Sequence, residues 1–242
     1  LKSIDFIRND LKKNSKLDLK KSFRTIRANN IQLSNIYLNY INKKGTKISS
    51  KFKNLNLNFS KDNIYGIYGP SGSGKTSILN LISGFIKPSK GKVLFNNKEY
   101  SSLNLAKIFN IGYVSQTPTI IDENIIINTT LRYENSKQKI DHLKKYLKIF
   151  NLEKFAKNKY FTNKSISSIK NMSGGEKQRI GVIRALINNP DLILLDEPTS
   201  SLDKKNEKKV LEFLRSIKKD KIIIITSHKV EHKKYFDKII DL

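Results

Sequence analysis

The fold of this chain is decided by one stretch, Gly69-Pro70-Ser71-Gly72-Ser73-Gly74-Lys75-Thr76. The run before it, Ile64 to Tyr68, is apolar and typical of a strand, and the apolar residues from Ile78 onward recur with the period of a helix. Glycines let the backbone N–H groups of such a loop converge on phosphate oxygens, and the following helix adds the positive end of its dipole. A strand, a glycine loop and a helix in this order predict a phosphate-binding loop in an α/β protein.

The loop residues have separate expected roles. Lys75 would neutralise the β and γ phosphates of a nucleotide, and Thr76 would hold a Mg²⁺ ion. The helix after the loop is predicted to continue through Phe85 and Ile86 and to end at Lys87-Pro88, because the residue before a proline disfavours the helical conformation. The other residues expected to bind the nucleotide are Gly69, Pro70, Ser71, Gly72, Ser73, Gly74 and Ser77.

A second apolar run, residues 191–195, leads into the acidic pair Asp196-Glu197. Ligands of open α/β sheets bind at the carboxyl ends of the strands, where this pair would lie. Asp196 is expected to reach the metal ion and Glu197 to polarise the attacking water. An acidic pair after a strand is usually only a turn, but the continuation Pro198-Thr199-Ser200-Ser201-Leu202-Asp203 favours the catalytic interpretation.

The remaining patterns predict one α/β domain with an inserted lobe. Residues 119–170 are polar, favour helix and lack strand patterns, which predicts an inserted helical lobe. A further helix is predicted after Gly175, ending at Asn188-Asn189-Pro190. Continuous apolar strands that alternate with helices favour a parallel sheet covered on both faces. The other strands are expected at residues 31–40, 52–59, 92–95, 111–114 and 222–226.

The amino-terminal residues 1–28 predict a helical linker. Leu1, Ile4, Ile7 and Leu11 share one helical face, and a lysine-rich polar connection follows. Both ends of the chain suggest a piece of something longer, which leaves room for a membrane domain.

Composition narrows the possible functions. No stretch approaches the roughly 18 to 20 apolar residues of a membrane span, and the absence of cysteine excludes disulfides and thiolate metal sites. The formal net charge is +26, which would attract nucleic acid or an anionic lipid surface. Lysine is nevertheless spread along the whole chain beside abundant Asn and Ile, which favours a biased genome composition over a nucleic-acid partner.

The segment Met172-Ser173-Gly174-Gly175-Glu176-Lys177-Gln178-Arg179 resembles the signature sequence of ATP-binding cassette (ABC) ATPases, and Asp196 to Asp203 resembles their Walker B motif and D-loop. Met172 and Glu176 replace the usual Leu and Gln. The resemblance covers nearly all of residues 29–242. It implies a P-loop NTPase fold with a mixed, mostly parallel core sheet, an antiparallel β subdomain and the helical lobe.

The resemblance also implies a partner and two ligands, ATP and Mg²⁺. In the family, the serine and glycines of the signature, here Ser173, Gly174 and Gly175, face the γ-phosphate held by another subunit. The partner is therefore a second ABC ATPase domain, in a homodimer or a heterodimer. Asp203, in the D-loop, is included among the nucleotide-binding residues.

Three more residues follow from the resemblance by position. Gln116 matches the Q-loop glutamine, which senses Mg²⁺ and the attacking water. His228 matches the switch histidine that contacts the γ-phosphate, although a lone histidine is more often structural. Tyr40 matches the aromatic residue that stacks on adenine, although strand aromatics such as Tyr37 commonly belong to a core.

The subtype is less determined by the sequence. Asn124 to Asn128 resembles the segment after the Q-loop of exporters, and the linker resembles their exit from the last membrane helix, which favours a membrane domain fused N-terminally. However, exporters often carry Glu-x-Gly where this chain has Ser167-Ser168-Ile169, and Asp196 to Thr199 also occurs widely in importers. The exporter interpretation places the chain at the cytoplasmic face of a plasma or inner membrane.

Three alternatives remain at this point. A separate ATPase subunit could dock on a permease, and only the upstream sequence would distinguish it from a fused domain. A nucleic-acid-associated cassette is disfavoured by the single set of motifs and by the lack of a basic and aromatic stacking platform. A regulatory cassette that binds ATP without turnover is disfavoured by the presence of Glu197 and His228.

Overall fold

The computed structural model describes residues 25–41, 47–100, 105–132, 136–161, 169 and 171–242. The linker predicted at residues 1–28 therefore lies, as far as residue 24, outside the described residues. The chain divides into two compact units. We call them the sheet unit, which comprises Thr25–Tyr113, Pro190–Glu197 and Leu211–Leu242, and the helical unit, which includes Val114–Asn189 and Pro198–Val210.

A five-stranded sheet forms the centre of the sheet unit, with the strand order β6-β7-β8-β3-β9. Pairing is parallel between β3 and β8, β3 and β9, and β7 and β8. Every residue of β7 and β8 is buried, which explains their continuous apolar sequences. The strands are β3 (Asn63–Tyr68), β6 (Ile111–Val114), β7 (Leu192–Asp196), β8 (Ile222–Thr226) and β9 (Lys238–Asp241).

The second sheet of this unit is antiparallel and has the order β2-β1-β4-β5. The β1 and β2 strands pair from Asn30 opposite Ser60 to Ile41 opposite Lys47, with several register shifts. The mixed fold with an antiparallel β subdomain is thereby confirmed. The strands are β1 (Asn30–Ile41), β2 (Lys47–Ser60), β4 (Lys90–Phe95) and β5 (Lys98–Glu99).

Helix α1, Lys75–Ser83, follows the glycine loop, and a short helix α2, Leu105–Ile108, precedes β6. The prediction that α1 continues to Lys87-Pro88 is wrong, because the helix ends at Gly84. Gly84 adopts a left-handed conformation with φ of 79° and donates its N–H to the Leu81 carbonyl. Phe85, predicted on the apolar helical face, is consequently 68% exposed.

The helical unit contains α3 (Ile125–Thr130), α4 (Lys137–Ile149), two 3-10 turns (Glu153–Ala156 and Asn158–Phe161) and α5 (Gly174–Leu186). The last helix, α6 (Lys204–Ser216), begins in this unit. Each of these elements except the second 3-10 turn contributes buried side chains, among them Ile127, Leu143, Leu147 and Phe155. Among the described residues no helix is long and apolar enough to span a membrane.

Candidate active site

The glycine loop between β3 and α1 is compact and closes on itself. Ser73 donates its N–H to the Pro70 carbonyl over 3.1 Å. Gly74 precedes the first residue of α1 with φ of 110°, and a Cβ there would lie 2.6 Å from the Phe52 ring. A larger residue would therefore be strained in two ways, by its backbone conformation and by this contact. The result is a tight turn directly before a helix N-terminus.

Lys75 folds back over this loop. Its Nζ donates to the carbonyl oxygens of Gly69 at 2.8 Å and Pro70 at 3.0 Å, and the residue is 7% exposed. An ammonium group has three donors, so these two bonds leave one for an anion. The buried Ser73 hydroxyl also has no hydrogen-bond partner among the described residues. An oxygen-rich anion such as a phosphate fits both donors.

Asp196, at the end of β7, is held by two threonine hydroxyls. Thr76 donates its Oγ1 hydrogen to Asp196 Oδ2 over 2.7 Å, and Thr226 donates to Asp196 Oδ1 over 2.6 Å. Thr76 is exposed, whereas Asp196 is 4% exposed. The segments that meet here are far apart in sequence, since Thr76 and Asp196 are separated by 120 positions.

The Thr76 and Asp196 oxygens fit a Mg²⁺ site. Magnesium prefers oxygen ligands and usually keeps several waters and substrate phosphates around one or two protein groups. The described residues contain no cluster of three or more His, Cys, Asp or Glu side chains that could hold a metal by themselves. The donor set therefore suits a magnesium ion that arrives with a nucleotide.

Glu197 follows Asp196 in a left-handed conformation, with φ of 46°. Such a backbone is uncommon for a residue other than glycine, and it persists where surrounding bonds hold it. The Glu197 N–H donates to Thr226 Oγ1 over 2.9 Å, and Glu197 Oε2 lies 3.5 Å from His228 Nδ1. Thus the structure brings the predicted pair Glu197 and His228 together.

Burial affects one more group beside Asp196. Tyr113 is in contact with Asn80 through a hydroxyl hydrogen bond of 3.1 Å. Burial, with a smaller contribution from the Asp196 charge, raises the pKa of Tyr113 to about 12. Tyr113 is therefore neutral at physiological pH.

Two residues of this region were missed by reasoning from sequence. Thr226 joins Asp196 to the Glu197 backbone, and its one sequence signal is a polar residue at the end of the apolar run Ile222 to Ile225. His232 is 2% exposed, and its Nδ1 lies 2.8 Å from the Ser227 hydroxyl. This contact fixes the turn next to His228, and no motif in the sequence indicates it.

The signature residues lie in the helical unit, at the start of α5. Ser173 precedes Gly174 as the helix cap, accepting the Glu176 N–H at its Oγ, while Glu176 Oε2 accepts the Ser173 N–H. This is a reciprocal capping box. Ser173 and Gly174 are exposed, so the N–H groups of the helix start face solvent.

The segment after Glu197 packs on this helix start. Gln178 donates to the Ser200 hydroxyl over 3.0 Å and accepts the Ser201 N–H over 2.7 Å. A Cβ on Gly175 would lie 3.0 Å from the Ser201 carbonyl oxygen, so the glycine allows this approach.

Asp203 begins the next turn of the helical unit. Its carboxylate accepts hydrogen bonds from the backbone and the side chain of Asn206 at 2.9 and 2.6 Å. These bonds, together with a smaller attraction from Arg179, lower the Asp203 pKa.

The other predicted residues are placed as follows. Gln116 is exposed, two residues after β6, and belongs to the helical unit. The Tyr40 backbone lies in β1 with Ser49 as its cross-strand partner, but the Tyr40 side chain lies outside the described residues. Their roles stay predictions.

Comparison with known proteins shows the family to which the chain belongs. The family model for ABC transporters matches residues 52–200. The chain is 32% identical over 228 residues to the ABC transporter ATP-binding protein MJ0796 of Methanocaldococcus jannaschii, covering 88% of this chain and 92% of that protein. It is 33% identical over 203 residues to a Rickettsia felis protein described as export ATP-binding/permease, covering 83% of this chain but only 34% of that protein.

Solved structures show the same fold. A dimeric post-hydrolysis structure of the ATP-binding cassette MJ0796, bound to ADP and phosphate, superimposes with a TM-score of 0.74 at 30% identity. The match covers 88% of this chain and 94% of that one.

The chain thus has the P-loop α/β fold of an ATP hydrolase. It also carries the glycine loop, the acidic pair and the signature segment. It belongs to the ABC transporter family, as the ATPase domain that binds and hydrolyses ATP.

Proposed function

We propose that this chain powers an exporter by closing on a second ABC ATPase domain around ATP and reopening after hydrolysis. One observation supports this most directly: the glycine loop, Asp196, Glu197 and His228 meet at the carboxyl ends of β3, β7 and β8. Ligands of open α/β sheets bind at such an edge.

Within the sheet unit each group has a distinct task. Lys75, fixed by two loop carbonyls, directs its free donor to the β and γ phosphates. Glu197 orients and polarises the attacking water, and His228 contacts the γ-phosphate. Thr226 fixes the positions of Asp196 and Glu197, because its hydroxyl bonds to the Asp196 side chain and to the Glu197 backbone. A bound Mg²⁺ would be held by Thr76 and Asp196 and would neutralise charge on the transferring phosphoryl group. Gln116, in the helical unit, is proposed as a further metal ligand from its position in the sequence alone.

The second half of the site comes from the partner domain. The exposed start of α5 presents N–H groups and a positive dipole end. In a dimer this turn, Ser173 to Gly175, would bind the γ-phosphate held by the other chain, with Asp203 of the D-loop beside the nucleotide. Tyr40 would stack on the adenine ring.

Steady-state hydrolysis tests the assigned roles. Lys75→Ala is expected to lose nucleotide binding, measured by equilibrium titration with Mg-ATP. Glu197→Gln is expected to bind Mg-ATP normally and to lower kcat by about 100-fold or more, the usual contribution of a general base. Unchanged kcat in Glu197→Gln would overturn the role of Glu197.

The exporter assignment has its own test. The segment Asn124 to Asn128 and the predicted linker favour a membrane domain fused upstream, and the Rickettsia felis relative is described as an export ATP-binding/permease protein. The high coverage of the M. jannaschii protein favours the alternative of a separate ATPase subunit. Sequencing the reading frame upstream of Leu1 distinguishes them: several membrane spans ending near Leu1 would support the fused exporter, and a start codon there would support the separate subunit.

The same proposal places the chain at the cytoplasmic face of a plasma or inner membrane and gives it no nucleic-acid partner. Two observations argue against a nucleic-acid partner. The chain carries a single set of cassette motifs, and its lysines are spread along the whole chain. Membrane fractionation of cells that express the gene, with and without nuclease, would test both points.

A further inference from the structure

A carboxylate lies in the turn that, under the proposed function, binds the partner's γ-phosphate. Glu176 is the third residue of α5, in the same turn as Gly174 and Gly175. A carboxylate next to a polyphosphate repels it, whereas the glutamine usual at this position would be neutral. The chain therefore needs a way to compensate the negative charge of Glu176.

Both carboxylate oxygens of Glu176 are occupied. Oε2 accepts the Ser173 N–H over 2.9 Å, and Oε1 is paired with Lys154 Nζ. The side chain is only 14% exposed. Partial burial disfavours the charged form, but the hydrogen bonds from Lys154 and Ser173 outweigh it and lower the pKa of Glu176. The carboxylate is thus ionised and needs its cation.

Lys154 is held in place by its own surroundings. It lies in the 3-10 turn Glu153–Ala156, and its Nζ is 4.9 Å from the centre of the Phe155 ring. Phe155 is 2% exposed, so the ring is fixed and can position the ammonium by a cation–π contact. The Lys154 side chain itself is 60% exposed, which makes it a poor contributor to folding stability.

The other nearby cation is shared. Arg179 is attracted by both Glu176 and Asp203, and it is 9% exposed. Its Nε is buried without a hydrogen-bond partner among the described residues. Among the described residues, Lys154 is therefore the cation that contacts Glu176 directly.

We propose that Lys154 is a positioning residue for the phosphate site in the dimer, which it serves by neutralising and anchoring Glu176. The pair does two things. It keeps Glu176 in the capping box, which holds the N–H groups of the signature turn, and it cancels the charge that would oppose the incoming phosphate. This inference rests on the proposed function, because the phosphate in question belongs to the partner chain.

A double-mutant cycle tests the inference in the Glu197→Gln background, with Mg-ATP-driven dimerisation measured by sedimentation equilibrium. Lys154→Met keeps the length of the side chain and removes the charge. It is expected to weaken dimerisation by about tenfold, a usual coupling for contacting charged groups. In the presence of Glu176→Gln, which retains a capping-box side chain, the same change is expected to weaken dimerisation by less than about twofold.

Two controls separate charge compensation from loss of structure. Lys157→Met removes a neighbouring exposed lysine and is expected to leave dimerisation unchanged. The Mg-ATP affinity of the monomer should be the same with and without Lys154→Met, since it does not depend on the partner site. The thermal midpoint should fall by no more than about 2 °C, since a largely exposed ion pair contributes little to stability. An equal effect of Lys154→Met with glutamate and with glutamine at position 176, or no effect in either, would overturn the inference.

The outcome for the parent protein is informative by itself. If the Glu197→Gln parent stays monomeric, the proposed composite site fails and this inference fails with it. If the parent dimerises but the two substitutions act independently, only the role of Lys154 is wrong.

Discussion

Thr226 connects the two acidic residues of the candidate site. Its hydroxyl donates to Asp196 and accepts the N–H of Glu197, so one buried side chain fixes the carboxylate proposed to bind the metal and the strained backbone of the proposed base. The sequence predicts a phosphate-binding loop and an acidic pair because the residues of each motif are consecutive in the chain. The role of Thr226 could not be predicted, since it depends on the parallel pairing of Asp196 with Thr226 in β7 and β8.

Replacing this hydroxyl should affect both activity and stability. Thr226→Val keeps the shape but leaves the Glu197 N–H and an Asp196 oxygen without their partner, which costs about 1–3 kcal/mol of unfolding free energy. We expect kcat for ATP hydrolysis to fall by about tenfold or more, because Glu197 loses its anchor. Urea denaturation and steady-state kinetics would measure the two effects.

Thr226→Ser is the matched control, because serine retains the hydroxyl. It should keep most of the activity. If Thr226→Val were as active as the native protein, the hydrogen bonds of Thr226 would have no part in positioning Glu197.

At the level of elements, most strands were predictable and one helix end was not. Strands β7 and β8 are continuous apolar runs whose burial follows from their sequence, whereas β9 is short and largely exposed. Helix α1 ends at Gly84 rather than at Lys87-Pro88, because Gly84 adopts a left-handed conformation that ends the helix. The apolar residues Phe85 and Ile86 lie at positions that match the helical period but are not part of the helix. A glycine near a helix end is therefore a stronger signal than the proline beyond it.

This helix end gives a stability prediction. Gly84→Ala places a Cβ at φ of 79° and should lower the free energy of unfolding by about 1–2 kcal/mol. Gly84→Asn, which tolerates the left-handed region better, should cost less. Thermal denaturation of the three proteins would check the order, and an alanine variant as stable as the native protein would contradict the glycine cap.

The Asp237 carboxylate joins the start of β3 to Lys218 and gives a prediction for the pH dependence of stability. Asp237 accepts the Ile64 N–H at the start of β3 over 2.9 Å and the Lys218 ammonium over 2.6 Å. Burial opposes the charge of Asp237, but these bonds outweigh it and lower its pKa. Because the folded state holds the charged form, the stabilisation is present above the unfolded pKa, about 3.9, and is lost as the pH falls through the lower folded value.

Asp237→Asn should therefore destabilise the protein near neutral pH, and the difference from the native protein should shrink as the pH falls below about 4. Urea denaturation at a series of pH values measures this difference. A difference that is the same at about pH 3 and about pH 7 would show that the charge of Asp237 contributes nothing.

At the scale of the whole molecule, the sequence predicts the motifs of the candidate site. It does not predict which side chain compensates for a changed residue within a motif. Glu176 departs from the usual glutamine, and its partner Lys154 lies in a 3-10 turn with no motif of its own. Such pairs depend on tertiary contacts between segments that the sequence does not link.

The central claim is that two copies, or this chain and a similar domain, share ATP between the glycine loop of one and the signature turn of the other. The most direct test is the mass of the Glu197→Gln protein in solution, with and without saturating Mg-ATP, measured by sedimentation equilibrium. The account predicts a monomer without nucleotide and a dimer with it, and a monomer in both cases when Ser173→Arg is added. A Glu197→Gln protein that binds Mg-ATP and remains a monomer would contradict the account.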